Sequence, residues 1–323
     1  MKYTYFPGCS LEKNAAAYDV STRAVAGRVG MELEEVEDWN CCGATEYVSL
    51  NLTAAYSLIA RNLAQATKNI GVDQVVAPCS ACYLNLRKCD KVLGQDAKLA
   101  DRVGKALAAG GLSYKPGSLH VRHLLDVIFE DVGLEALAAK VTRPLSGLRV
   151  APYYGCMIVR PGFHNGDQDP EYPTSLDKIL KALGAEVVDY PMKAHCCGGH
   201  MTQISEATGF EMIRRLIKGA DDYQTDVIVT LCPMCQLNLD GFQGAMNRHF
   251  STNYHIPVLY FTQMIGLAMG MAPKELGIGD EIVSAAKALT KIGTSVEPEP
   301  AGPPKRKKDD KSLPMPSRGG GVA

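Results

Sequence analysis

Apolar and polar positions along the chain alternate between a two-residue and a helical period, and the alternation happens twice. Lys2 to Phe6 reads as a short strand, rich in tyrosine and stopped by Pro7-Gly8. From Leu11 to Val29 the spacing is helical, with Ala17, Val20, Ala24, Val25 and Val29 on one face and Gly30 as the stop. Met31 to Val36 predicts a second strand, Leu50 to Asn69 a long helix, and Gln74 to Ala77 a buried strand. Pro78-Cys79-Ser80-Ala81-Cys82 then turns into a helix through Lys91. Ala97 to Ala109, His120 to Asp131 and Leu134 to Lys140 follow as helical patterns, with His120 and His123 read as packing or interface residues. Arg143-Pro144-Leu145-Ser146-Gly147 breaks the pattern, and the scheme restarts. The second round comprises strand Leu148 to Tyr153, helix Ser175 to Leu183, strand Glu186 to Asp189, helix Glu206 to Ile217 and strand Asp226 to Leu231. A helix opened by Cys232-Pro233-Met234-Cys235 comes next, then the apolar helix Phe261 to Met269 and a last helix over Asp280 to Ile292.

This pattern predicts an α/β protein of two pseudo-symmetric halves. Each half is a small, mainly parallel sheet flanked by helices. Residues 1–145 form the first half with a helical connector, and residues 146–293 form the second. Residues 294–323, dominated by Pro, Gly, Lys and Asp, are expected to be a disordered tail, with Lys305-Arg306-Lys307-Lys308 a solvated run inside it.

Cysteine positions sharpen the duplication. Ten of the eleven cysteines fall into two sets of five, each a lone cysteine, a Cys-Cys-Gly and a Cys-x-x-Cys. The first set is Cys9, Cys41-Cys42 and Cys79/Cys82, with gaps of 31 and 36 residues. The second is Cys156, Cys196-Cys197 and Cys232/Cys235, with gaps of 39 and 34. The residues after each Cys-x-x-Cys also agree, Tyr83-Leu84-Asn85-Leu86 against Gln236-Leu237-Asn238-Leu239. All these cysteines fall on strand-to-helix loops, where ligands collect in parallel sheets. Cys89 stands outside both sets.

Composition narrows the setting. A chain of 323 residues, 46% apolar and 21% charged, has length for about two domains and a buried core. A formal charge of -1 offers no basic footprint for nucleic acid. Met1 to Pro7 lacks the apolar stretch of a secretory signal. The nearest approach to a membrane span, Gln263 to Ala272, is far shorter than the roughly 18 residues required. An odd cysteine count without a signal fits a disulfide scaffold poorly and points to the cytoplasm.

Chemistry follows from the count of five. A structural zinc takes four ligands, and two consecutive residues rarely both reach one small ion. A multi-iron sulfur cluster spreads its ligation sites, so neighbouring thiolates can each find one. Gly43 and Gly198 let backbone approach an inorganic core, and helix amino termini at each Cys-x-x-Cys favour thiolate. Buried inert thiols, two zinc sites with a spare cysteine each, and thiol–disulfide redox pairs stay open on the residues alone.

The doubled pattern resembles the B-type subunit of heterodisulfide reductase, whose hallmark is a duplicated cysteine-rich CCG domain. The resemblance runs up to about Gly293 and includes the Pro-Val-Leu-Tyr-Phe-Thr-Gln-Met-Ile-Gly-Leu-Ala segment at 257–268. Related proteins of lactate, glycolate and succinate oxidation share the domain. The resemblance implies two noncubane [4Fe-4S] clusters facing each other across a pseudo-twofold axis. It implies as ligands Cys9, Cys41, Cys42, Cys79 and Cys82 for one, and Cys156, Cys196, Cys197, Cys232 and Cys235 for the other. It implies two-electron disulfide cleavage between them, or the reverse thiol or persulfide oxidation. The substrate would be the coenzyme M–coenzyme B heterodisulfide, or sulfur on a lipoate-bearing carrier protein in a bacterial sulfur-oxidising variant. An iron–sulfur electron-transfer subunit of a lactate, glycolate or succinate-type dehydrogenase is the alternative, and a zinc-stabilised assembly module a second. No Cys-x2-Cys-x2-Cys-x3-Cys ferredoxin run and no Gly-x-Gly-x-x-Gly after a strand occurs. Electrons are therefore expected from partners, which in that family are a ferredoxin-like subunit with two clusters of its own and a flavoprotein subunit. His195 and His200 flank the second Cys-Cys as candidate donors to sulfur. Lys193, Arg160 and His164 lie near the same set and could meet an anionic substrate.

Overall fold

Residues 1–44, 47–69, 71–164 and 169–294 are described by a computed structural model. The expected tail beyond Thr294 lies outside them. The first half runs β1 (Lys2–Tyr5), α1 (Ala16–Val29), β2 (Glu32–Glu35), α2 (Tyr47–Leu50), α3 (Leu52–Ala66), β3 (Gln74–Ala77), α4 (Ser80–Gln95), α5 (Ala97–Ala109), β4 (His120–His123), α6 (Leu124–Val127) and α7 (Leu134–Ala138). The second half runs β5 (Arg149–Tyr153), α8 (Ser175–Ala182), β6 (Glu186–Val187), α9 (Met201–Ile204), α10 (Glu206–Asp222), β7 (Val227–Thr230), α11 (Pro233–Gln236), α12 (Gln243–Phe250), β8 (Val258–Tyr260), α13 (Phe261–Ala268) and α14 (Ala286–Leu289).

Each half builds one four-stranded sheet, in orders β2-β1-β3-β4 and β6-β5-β7-β8, and every pairing is parallel. Strand order reverses direction between β1 and β3, and again between β5 and β7. That reversal opens a crevice beyond the carboxyl ends of the strands. Cys9 and Cys79/Cys82 follow the two strands flanking the first crevice, and Cys156 and Cys232/Cys235 those flanking the second.

The local chemistry explains most boundaries. Gly30 closes α1 in the left-handed conformation, returning its N–H to the Ala26 carbonyl. Asn51 caps α3 through Ala54 N, and Asp96 caps α5 through Leu99 N. α1 begins later than its apolar spacing suggests, because Ser10 to Ala15 is spent in turns closed by Leu11 N to Gly8 O and Ala15 N to Ser10 O.

Two expectations fail for identifiable reasons, and one strand is unexpected. His120–His123 is a strand, not the start of a helix: its residues alternate outward and inward, and all four pair with β3. Helix resumes only at Leu124, then widens into a π turn over Ile128–Val132. Asp280 to Ile292 is not one helix. The buried carboxylate of Asp240 captures the N–H groups of Ile282 and Val283, each at 2.8 Å, so only Ala286–Leu289 coils. Finally, Val258–Tyr260 is a fourth strand, completing the second sheet as β4 completes the first.

The halves share packing reciprocally. α1 lies on α13, which follows β8, while α8 lies on α6, which follows β4. One apolar core runs from Tyr3 and Tyr18 through Leu145, Leu148 and Val150 to Leu176 and Ile179. Across the seam, the buried Ser21 and Thr262 hydroxyls meet at 2.7 Å. Tyr18 stacks on Tyr260 with ring centroids 4.2 Å apart and 4° between planes.

Candidate metal centre

The two crevices open toward each other, and the ten repeated cysteines form a single string through the molecule. Cys9 Sγ lies 3.4 Å from Cys41 Sγ, and Cys42 Sγ 3.3 Å from Cys82 Sγ. Cys41 and Cys42 act on each other's thiols, as do Cys82 and Cys79. At the centre Cys79 and Cys232, the corresponding residues of the two halves, act on each other's thiols, and the Tyr18 hydroxyl bridges the carbonyls of the residues just before them. Beyond them the order repeats in mirror fashion, Cys235, Cys197, Cys196 and Cys156. The middle of the string is buried, whereas Cys9, Cys41 and Cys196 are exposed. At the first end, Cys9 and Cys41 open into a cavity of about 600 Å³ whose walls include Glu12, Glu37 and Trp39.

Backbone shape makes the string possible. Gly8 and Gly155, just before the lone cysteines, have φ of +78° and +68°. A Cβ on Gly8 would stand 2.7 Å from Cys82 Sγ, and one on Gly155 2.9 Å from Cys235 Sγ. Only glycine fits both the conformation and the space. Gly43 and Gly198 each turn their N–H toward the first sulfur of their Cys-Cys pair, at 3.4 Å.

Electrostatics divide the thiols. Hydrogen bonds from Cys42 and then Cys9, helped by the Gly43 N–H, hold Cys41 down to about 2. Cys156 and Cys197, with the Gly198 N–H, do the same for Cys196, also to about 2. Their partners Cys42 and Cys197, sharing those bonds and buried, are pushed up to about 12. Cys79 is held well below the ordinary thiol range by bonds from Cys232 and Cys82. Cys9, Cys82, Cys156, Cys232 and Cys235 are pushed up by bonds to neighbouring thiols and by burial, so Cys41, Cys79 and Cys196 are the sulfurs held toward thiolate, the ligand form that metals take in place of protons.

This donor set suits a multi-iron group better than a single ion. Four thiolates about zinc at 2.3 Å stand roughly 3.8 Å apart around a point, whereas these sulfurs meet in succession, Cys9 with Cys41 and Cys42 with Cys82. Among the described residues, no three His, Cys, Asp or Glu side chains are set for a single metal ion.

Other candidate residues divide. His195 is exposed beside Cys196, its carbonyl accepting the Tyr153 hydroxyl at 2.7 Å, and half-buried His200 precedes α9. Lys193 is already partnered inside the fold. Its ammonium is buried against Asp177 at 3.0 Å and over the Tyr172 ring, because Tyr154 and Gly155 N–H groups hold its carbonyl inward. Arg160 is exposed, and His164 turns back on the Arg160 carbonyl at 3.3 Å. The loop carrying them leans on the first half, its Phe163 and Gly162 carbonyls accepting from Tyr83 and Lys91.

Two residues join the site that sequence reasoning alone does not single out. Asn85 donates to the Cys42 carbonyl and Asn238 to the Cys197 carbonyl, at 3.1 and 3.3 Å. Their signal is the repeated Leu-Asn-Leu after each Cys-x-x-Cys. His123, on a strand rather than the expected helix, is buried at the seam beside Ser80, 3.3 Å from its hydroxyl.

A family model described as the CCG cysteine-rich domain matches residues 3–87 and again residues 150–240. The chain belongs to that family. This duplicated CCG protein is 37% identical over 287 residues to the 8-methylmenaquinol:fumarate reductase membrane anchor subunit of Wolinella succinogenes, covering 88% of its own length and 98% of that protein. It is 30% identical over 294 residues to the B-type subunit of the ferredoxin/F(420)H(2)-dependent CoB-CoM heterodisulfide reductase of Methanosarcina acetivorans, covering 90% and 97%. A solved structure of a hypothetical protein from Helicobacter pylori has a TM-score of 0.70 at 16% identity, covering 88% of the CCG protein and 52% of that chain. That likeness speaks to fold alone. Among the described residues, no helix of the CCG protein is long and apolar enough to cross a membrane.

Proposed function

We propose that this CCG protein is the catalytic iron–sulfur subunit of a heterodisulfide reductase-type complex, holding one noncubane [4Fe-4S] cluster in each five-cysteine set. The first set would be Cys9, Cys41, Cys42, Cys79 and Cys82, and the second Cys156, Cys196, Cys197, Cys232 and Cys235. The observation that carries this reading is the meeting of the two sets at Cys79 and Cys232. Cleaving a disulfide consumes two electrons and yields two thiolates, so two adjoining one-electron centres match the reaction. Bound there, the clusters would supply those electrons. The chain's residues do the rest. Gly8 and Gly155 keep side chains out of the sulfur crevices. Tyr18 shares its hydroxyl between the Pro78 and Leu231 carbonyls, at 2.9 and 3.3 Å, fixing the backbone before each central cysteine. Exposed His195, with His200 nearby, would give protons to sulfur leaving at the second end. A ferredoxin-like partner with two clusters, fed in turn by a flavoprotein, would deliver electrons.

A second reading has its own support. The 37% relative is named for 8-methylmenaquinol and fumarate, so the same two centres could serve a quinol-linked, succinate-type complex.

Anaerobic purification followed by iron, sulfide and zinc analysis tests the shared premise: iron and sulfide in both halves are expected, and zinc without them ends it. Paramagnetic resonance of the oxidised protein then separates the readings. A signal induced by an organic disulfide and absent from Cys42→Ser and Cys197→Ser variants supports the first. Reduction of the centres by a menaquinol, with no response to any disulfide, replaces it with the second.

A further inference from the structure

Asn85 and Asn238 sit three residues after Cys82 and Cys235, on the helix face that carries the cysteine. From there each amide reaches across its crevice to the second cysteine of the Cys-Cys pair. Asn85 Nδ2 lies 3.1 Å from the Cys42 carbonyl and 3.8 Å from Cys42 Sγ. Asn238 Nδ2 lies 3.3 Å from the Cys197 carbonyl, 3.4 Å from Cys197 Sγ and 2.8 Å from the Gly199 carbonyl. The carbonyls among these partners can only accept, so the NH2 end of each amide must face the crevice.

The two sites are alike but not equal. α4 runs on as a regular helix through Asn85, whereas a π turn over Leu237–Gly241 carries Asn238. Such turns are commonly found at functional sites. Here it accompanies a shorter N–H···S approach and a more deeply buried side chain, Asn238 being 1% exposed. The receiving sulfurs are matched in burial, Cys42 at 1% and Cys197 at 3% exposure. What differs between the two asparagines is the length of the approach to sulfur, 3.8 Å against 3.4 Å.

We infer that Asn85 and Asn238 tune the reduction potentials of the two centres, Asn238 the more strongly, so that the second half takes the first electron. The inference rests on the cluster reading given above. Physically, reduction adds negative charge to a cluster and its thiolates, and an N–H aimed at a ligand sulfur stabilises that charge. Hydrogen bonds to the sulfurs are among the recognised determinants of these potentials. Both asparagines are positioning residues, since they act through Cys42 and Cys197.

Leucine, similar in size and without an N–H, supplies the test. Wild-type, Asn85→Leu and Asn238→Leu proteins, full-length and loaded anaerobically, would be titrated with reductant and followed by paramagnetic resonance, with iron content and melting temperature measured alongside. Wild type should show two unequal potentials. Asn238→Leu should lower the higher one by about a tenfold shift in the reduced-to-oxidised ratio, about 59 mV for one electron, and leave the other in place. Asn85→Leu should lower the other by less. Fully loaded variants with unchanged potentials, or single variants that move both centres equally, would overturn the inference. A lower melting temperature at unchanged potential would mean that the amides only brace the Cys-Cys-Gly loop, which overturns it too. Should Asn238→Leu shed iron, the half-buried Asn85→Leu decides alone. Failure of the cluster reading itself is distinguishable, because wild type would then carry no iron or sulfide.

Discussion

His123 is a titratable group locked in one form by its neighbours. The Leu125 N–H points at Nδ1 from 3.0 Å, so that nitrogen must accept, and the proton sits on Nε2 toward Ser80. Burial pushes its pKa down to about 3, against the pull of the Pro78 and Leu231 carbonyls. In the unfolded chain a histidine titrates near 6.5. The folded value is the lower one, so this residue's contribution to stability is full above pH 6.5 and shrinks as pH falls toward 3, by roughly 1.4 kcal/mol per unit. Urea unfolding at pH 6.5 and 4.5 checks this. Wild type should lose about 2–3 kcal/mol more than His123→Gln over that interval, and equal losses would dismiss the assignment. Nothing in the spacing of His120 and His123 announces this environment. The two-residue alternation of His-Val-Arg-His does, but the helical spacing of the residues that follow outweighs it.

Loops between strand and helix carry the chemistry, and their glycines are more exacting than their cysteines. A methyl group on Gly8 meets Cys82 Sγ in a backbone conformation that L-residues avoid, at a cost of roughly 1–2 kcal/mol before any contact is counted. Gly8→Ala should therefore cost the first centre about half of the protein's iron while the second stays loaded, and Gly155→Ala should do the converse. Full iron content in both variants would show that the crevices have slack. These loops are legible in the sequence because cysteine spacing is a local property that survives any uncertainty about helix ends. Elements decided by distant partners are not. Asp240 unwinds Ile282 and Val283 from more than forty residues away, and β8 becomes a strand only because β7 lies beside it. Asn85 and Asn238 are visible as a repeat, but their purpose depends on a crevice that only the folded chain assembles.

Across the whole molecule, the duplication does not produce two independent units. Each half contributes the helix after its last strand to cover the first helix of the other, and the core passes through Leu145 and Leu148 without a break. Separately expressed fragments 1–145 and 146–294 should each show poorly dispersed NMR spectra and bind the apolar-surface dye ANS. Mixed, or expressed together, they should associate and recover dispersion. A well-dispersed spectrum from either fragment alone would refute this dependence.

The string of sulfurs has one more consequence, in the presence of oxygen. Ten neighbours in a row can be joined two by two, with none left over, in a single way: Cys9 with Cys41, Cys42 with Cys82, Cys79 with Cys232, Cys235 with Cys197, and Cys196 with Cys156. Metal-free protein left in air, with dioxygen as oxidant, would be driven toward those five cross-links, and the central one would staple the two halves together. Oxidative damage would then leave a non-reducing gel band and a peptide map that record, pair by pair, the order in which the thiols lie.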